Sequence, residues 1–212
     1  MAVIDLPSTK VVECTFTLLE GTVATPFNRG MAFNLSEVRD KAWQVHIETK
    51  PLDREGRQLW HAWKLSLRGG FNRFRCFDIG QMAPLAYGAA QTPQEIAPGW
   101  SGNATVTSLG ASGALTLGGV PAGYVASVGD RVELSQGVYT ALYEIIAPAT
   151  ATAGGVLALT VAPLLHTSTF TTAATARLWR PRALFIMDHN TWAHQVIADP
   201  TPATFDGYQV LR

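Results

Sequence analysis

The sequence predicts a mainly β protein with one principal α-helix, built as a β-sandwich domain that carries a small inserted β-barrel or sandwich domain. Three observations predict it. Two early segments alternate apolar and polar residues with period two. A single segment, around Leu59–Leu67, repeats its apolar residues at helical spacing. Between residues 95 and 176 only five side chains are charged, Glu95, Asp130, Arg131, Glu133 and Glu144, and the stretch is rich in Gly, Ala, Thr and Ser. Chain on the two sides of that stretch is alike in composition, so it reads as an insertion. The expected division is residues 1–94 with 177–212 as one discontinuous domain, and 95–176 as the inserted one.

The elements follow in chain order. Val12, Cys14, Phe16 and Leu18 alternate with Glu13, Thr15 and Thr17, the pattern of a half-buried strand. Trp43, Val45 and Ile47 alternate with Gln44, His46 and Glu48 in the same way. Between them, TVATPFNRGMAFNLSEVRD has no clean period and reads as a long loop with the turn residues Pro26, Asn28 and Gly30. In DREGRQLWHAWKLSLRGG, Leu59, Trp60, Trp63 and Leu67 share a helix face, Asp53 suits the N-cap and Gly69–Gly70 the stop. RFRCFD then reads as a strand, with Phe74 and Cys76 pointing one way and Arg73 and Arg75 the other. In the insert, VGDRVEL and GVYTALYEII form a hairpin and VLALTV a further strand. In GVYTALYEII, Val138, Leu142 and Ile146 are expected on one face and Tyr139, Tyr143 and Ile145 on the other. Apolar residues on both faces suit a closed barrel or packed sandwich. ALFIMD, TWAHQVI and GYQVLR read as three closing strands.

Composition narrows function. Lys plus Arg and Asp plus Glu each total 16, so net charge is zero, which argues against a dedicated nucleic-acid binder. Charged residues are 15% of the chain, against roughly a quarter in an ordinary soluble domain, as expected where copies or partners cover the surface. Two cysteines make no disulfide framework, and Cys14 and Cys76 are expected as reduced core residues. No apolar run is long enough to span a bilayer, and the N-terminal segment lacks the features of a secretory signal. No Walker loop, GxGxxG, GxSxG or HExxH is present. Asp188, His189 and His194 lie close in sequence but match no ligand spacing, so the five histidines are expected to be structural. No catalytic, cofactor or metal site is therefore expected. Two sets of residues are candidates for subunit contact: Pro26, Phe27, Asn28 and Arg29, an aromatic beside a cation, and the like-charged pair Arg73 and Arg75.

The run WHAWKLSLRGGFNRFRCFDIGQMAP resembles a segment of the distal tail proteins, tail-tip ring components of long-tailed bacteriophages. The order GASGALTLGG, VGDRVEL, YTALYEIIAPATATAGGVLALTVAPLLH and ARLWRPRALFIM resembles the insert and return strand of that family. Its pieces fall at Gly129–Asp130, Tyr139–Tyr143 and Ala162–Leu165, and the likeness covers roughly residues 10 to 212. The resemblance implies a β-sandwich tail-type domain and a non-enzymatic structural protein of the virion tail, assembled in the host cytoplasm. It implies a ring, typically a hexamer of the chain itself, between the tail-tube protein and the hub or baseplate protein, near the tape-measure protein. DNA would pass through without specific binding, and this chain would insert into no membrane. The competing expectation is a carbohydrate-binding or host-adhesion module of a phage tail, with Trp100 and Tyr124 of the insert as stacking platforms. A hydrolase would need a nucleophile–base pair that the sequence does not display.

Overall fold

The computed structural model describes residues 2–7, 11–26, 33–37, 41–88, 90–194 and 201–211, with side chains left out at 22–26 and 33–37. The strands in chain order are β1 (Val3–Asp5), β2 (Val11–Leu19), β3 (Thr22–Pro26), β4 (Phe33–Glu37) and β5 (Ala42–Thr49). Helix α1 (Arg54–Ser66) follows, then β6 (Arg73–Phe77) and the one-turn α2 (Pro93–Ile96). Next come β7 (Asn103–Leu109), β8 (Ala114–Gly118), β9 (Val125–Ala126), β10 (Arg131–Gln136), β11 (Tyr139–Ile145), β12 (Ala149–Thr150), β13 (Leu157–Ala162) and β14 (Thr175–Arg177). The chain closes with β15 (Arg182–Ala193) and β16 (Thr204–Val210). The fold is mainly β with one principal helix, a sandwich-type sheet assembly joined to a small barrel.

The strands before and after the barrel build one six-stranded sheet in the order β1-β6-β15-β16-β5-β2, parallel only between β1 and β6. The six barrel strands all lie between β6 and β15, closed in the order β10-β11-β13-β8-β7-β14. Closure pairs every barrel strand on both sides, though β11 meets β13 only at Glu144–Ala162 and Ile145–Val161. The barrel core combines aliphatic side chains such as Ala104, Val106, Leu117, Leu134 and Leu178 with the aromatic Trp100, Tyr124, Tyr143 and Phe170.

The sheet's inner face carries an aromatic cluster. Phe74 stacks on Phe185 with centroids 5.6 Å apart and meets Trp63 edge-on at 5.5 Å. Phe16 meets Phe185 at 5.3 Å, and Trp60 meets Trp63 at 5.4 Å. Each edge-to-face pair contributes about 0.5–1.5 kcal/mol beyond its buried area. Asp53 caps α1, its carboxylate accepting from the Gly56 amide at 2.7 Å. Trp60, Trp63 and Leu67 are buried, and the Trp63 indole donates to the Asp5 carbonyl at 3.1 Å, tying α1 to β1. The helix stops where Arg68, Gly69 and Gly70 take left-handed backbone. That geometry is cheap for the glycines and uncommon for an arginine.

Several expectations need correction. Leu59 is 47% exposed, because it lies one residue, or about 100°, off the stripe of Trp60, Trp63 and Leu67. Val12 is 54% exposed, because a bulge between Val11 and Glu13 shifts it off the inner face. The irregular stretch after β2 is not a plain loop: β3 and β4 pair as an antiparallel hairpin, Thr22 with Glu37 through Pro26 with Phe33. Among the described residues the tail has two strands rather than three, since β15 runs on from ALFIMD through an irregularity between Asp188 and Ala193. Val138 and Ile146 are exposed while Leu142 is buried: Val138 sits in the two-residue turn between paired Gln136 and Tyr139, and Ile146 lies beyond the end of β11.

Gly207 marks the tightest point of the sheet core. A Cβ there would sit 2.7 Å from Phe74 Cζ and 3.2 Å from Val45 Cγ1. Gly207→Ala is expected to destabilise the protein by about 1–3 kcal/mol. Urea unfolding followed by tryptophan fluorescence measures this, and an unchanged midpoint would show that the cluster can yield.

Candidate assembly interface

The barrel is fastened to the sheet through buried charge. Arg131 opens β10, and its guanidinium lies 5.0 Å from the ring centroids of both Phe16 and Trp43. It donates to the Asp78 carboxylate at 2.5 Å, just beyond the end of β6. The Arg131 side chain is 6% exposed and that of Asp78 15%. Two residues on, the buried Glu133 carboxylate accepts from the Arg182 backbone amide at 2.9 Å, with the guanidinium of Arg182 at 3.4 Å and that of Arg177 at 3.6 Å. Asp130 accepts from the amides of Leu85 at 2.8 Å and Ser127 at 2.7 Å. Burial raises its pKa above the ordinary carboxylate value, and those two hydrogen bonds oppose the rise.

The same strands share an apolar contact. Tyr143 and Ile145 of β11 point into the barrel, while Leu142, between them in parity, joins the sheet's aromatic cluster. The Trp43 indole donates to the Leu142 carbonyl at 2.9 Å, and the Thr140 amide to the Leu211 carbonyl at 2.8 Å. Both faces of β11 are apolar because it is a wall of the barrel and a layer against the sheet.

Of the residues expected at a subunit contact, Pro26 ends β3, paired with Phe33. Phe27, Asn28 and Arg29 lie outside the described residues. Arg73 and Arg75 stand on the outward face of β6, since Phe74 and Cys76 between and beyond them are buried. They line a groove of about 810 Å³ together with Val3, Val138 and Leu184. The structure brings these two arginines together at one surface feature.

The curl of the sheet joins residues far apart in sequence. Cys14 on β2 donates to the Phe77 carbonyl at 3.4 Å, and Cys14 and Cys76 line one cavity of about 240 Å³. Both are free thiols in the core. Burial first, and then the neighbouring Cys14, hold the Cys76 thiol well above its ordinary pKa, so it stays protonated and unreactive. Sequence spacing alone hides this proximity.

The aromatic residues of the insert are committed to the barrel core. Tyr124 is 2% exposed, stacked on Tyr87 at 5.2 Å and edge-on to Trp100 at 5.3 Å. The Trp100 indole donates to the Asn103 carbonyl at 2.9 Å, and Trp100 is buried. Neither ring offers an open face to a sugar, which corrects their expected role as stacking platforms.

Among the described residues no three His, Cys, Asp or Glu side chains gather as a metal site. Asp188 accepts from the Asn190 amide at 3.0 Å within the irregularity of β15, and His194 faces the Pro202 carbonyl at 3.4 Å. His46 pairs with Asp206 at 2.7 Å. No described helix is long and apolar enough to cross a membrane. Sequence reasoning missed the roles of Asp78, Arg131 and Glu133. A signal was present, since three of the five charges in residues 95–176 fall in the run GDRVE. Comparison with known proteins finds no matching family model and no matching curated protein.

Arg131→Ala removes a buried cation and strands Asp78 beside two exposed ring faces. It is expected to cost about 3–5 kcal/mol of stability, read from urea midpoints. Asp130→Asn tests the raised pKa. A carboxyl whose folded pKa is raised contributes stability that is present below its unfolded pKa and lost as pH rises through the folded one. The stability of the native sequence relative to Asp130→Asn should therefore grow as pH falls from 7 toward 3.5. A pH-independent difference between their melting temperatures would contradict that assignment.

Proposed function

We propose that this chain is a structural virion protein, a distal tail component that forms a ring at the end of a bacteriophage tail and links the tail tube to the hub. In this reading residues 1–94 and 177–212 form the ring-building domain and 95–176 the inserted one. The partners are further copies of the chain, typically six in the ring, with tail-tube protein on one side and hub or baseplate protein on the other. Tape-measure protein lies near the axis, and DNA crosses the lumen without being read. The protein resides in the tail and passes through the host cytoplasm during assembly. Its free energy goes into contacts with neighbours rather than into a chemical step.

One observation carries the reading: chain from both sides of the barrel interleaves in a single sheet, β6 and β15 adjacent, with the barrel anchored to it by buried groups. That is the arrangement implied by the segments that resemble the tail family. A charged fraction of 15% supports it, since a subunit enclosed by neighbours keeps less of its surface in water.

Light scattering on the purified chain, alone and mixed with the tail-tube protein of its own phage, tests the proposal. The expected result is a discrete closed oligomer, or one formed on adding tube protein, visible as rings in electron micrographs. A chain that stays monomeric at high concentration and never joins tube protein would overturn it.

A further inference from the structure

The outer face of the six-stranded sheet carries opposite charge on its two margins. On β6, Arg73 and Arg75 floor the groove walled by Val3, Val138 and Leu184. Val3 and Val138 are exposed. Among the described residues the buried Arg73 Nε has no hydrogen-bond partner. Arg75 Nε meets Asp5 at 3.2 Å, and that carboxylate is 75% exposed, so the pair is weak and able to open. On the other margin, Glu13 of β2 lies directly opposite Glu48 of β5, both on the outward face because Cys14 and Ile47 are buried. Like charges placed opposite each other destabilise a sheet. Among the described residues neither glutamate meets a cation; the Thr15 hydroxyl donates to Glu13 at 2.7 Å. Val12, beside them, is exposed by the bulge.

We infer that the Arg73–Arg75 groove of each copy receives the Glu13–Glu48 pair of the next copy in the ring. This rests on the ring reading and gives it a contact. The two patches are opposite in sign, each presents two charged side chains, and each has an apolar border, with Val12 facing Val3 and Val138. Residues two apart on a strand have Cα atoms roughly 6.6 Å apart, and cross-strand partners lie at about 5 Å, a difference these long side chains absorb. Neither patch fits itself, since each would set like charges together, so a two-fold dimer through either one is opposed. A contact between two different patches is heterologous and propagates head to tail until the ring closes. Within it, the groove-lining guanidinium groups of Arg73 and Arg75 gain carboxylate acceptors and the opposed glutamates gain counter-charges.

The test uses the full chain and two reversed variants, Arg73→Glu/Arg75→Glu and Glu13→Arg/Glu48→Arg, followed by light scattering and sedimentation. Each variant alone should assemble at least about tenfold more weakly than the native chain. An equimolar mixture should restore assembly, because every junction then pairs opposite charges. Circular dichroism melts verify folding. The neutral variants Arg73→Gln/Arg75→Gln and Glu13→Gln/Glu48→Gln should lose assembly without reversal, and carry the test if a reversed variant unfolds. Native-like assembly by the variants would overturn the inference and leave the ring reading standing. So would a folded mixture that stays apart, or a groove variant that assembles but no longer joins tube protein. A native chain that never assembles, with or without tube protein, overturns both.

Discussion

The Arg131 guanidinium is the group on which the architecture turns. It lies over the rings of Phe16 and Trp43, from β2 and β5, and is bonded to Asp78, beyond β6. These strands stand at or near opposite margins of the six-stranded sheet. One side chain from the barrel thus engages both sides of the curl. The cation tolerates burial because the Asp78 carboxylate pairs with it and the faces of two aromatic rings lie 5.0 Å from it. A Leu in its place would fill space but would leave Asp78 buried without a counter-charge. Buried ion pairs are weak sources of net stability and better attested as devices that fix one arrangement. Here the arrangement fixed is that of barrel against sheet.

Glu133 fixes a second point of the same junction. Its carboxylate holds the Arg182 amide where β15 begins, so the chain leaving the barrel is pinned as it re-enters the sheet. Leu142 and the Trp43 indole supply a third, apolar point. Three separated attachments leave little freedom for rocking. In the ring reading this rigidity has a use. Heterologous closure depends on a set angle between neighbours, and an angular error in each copy accumulates around the circle.

Much of this was legible in the sequence. The α1 face, its Asp53 cap and the outward arginines of β6 follow from period and capping chemistry alone. What failed, failed for local physical reasons. The bulge at Val12 leaves the residue alternation intact while changing which face it serves. β7 and β14 lie in Thr- and Ser-containing sequence whose outward positions contrast weakly with the small inward residues Ala104, Val106 and Ala176, and β8 is only five residues long within Gly-rich sequence. The nearness of Cys14 to Cys76 comes from sheet curvature, which no spacing rule encodes. Phe27, Asn28 and Arg29 fall outside the described residues.

A net charge of zero describes this chain poorly, because the charges that matter are sorted by place. Buried ones, at Asp78, Arg131 and Glu133, are neutralised within the subunit and hold it together. On the outer face, cations gather on β6 and opposed carboxylates on β2 and β5. A monomer gains nothing from that segregation: Glu13 and Glu48 repel each other across β2 and β5. Separate patches of opposite charge on a subunit of balanced total charge are what a head-to-tail contact requires, since each copy must present both halves of the joint. Ordinary solvated surface would instead intersperse the signs, as α1 does with Arg54, Glu55 and Arg57 in its first turns.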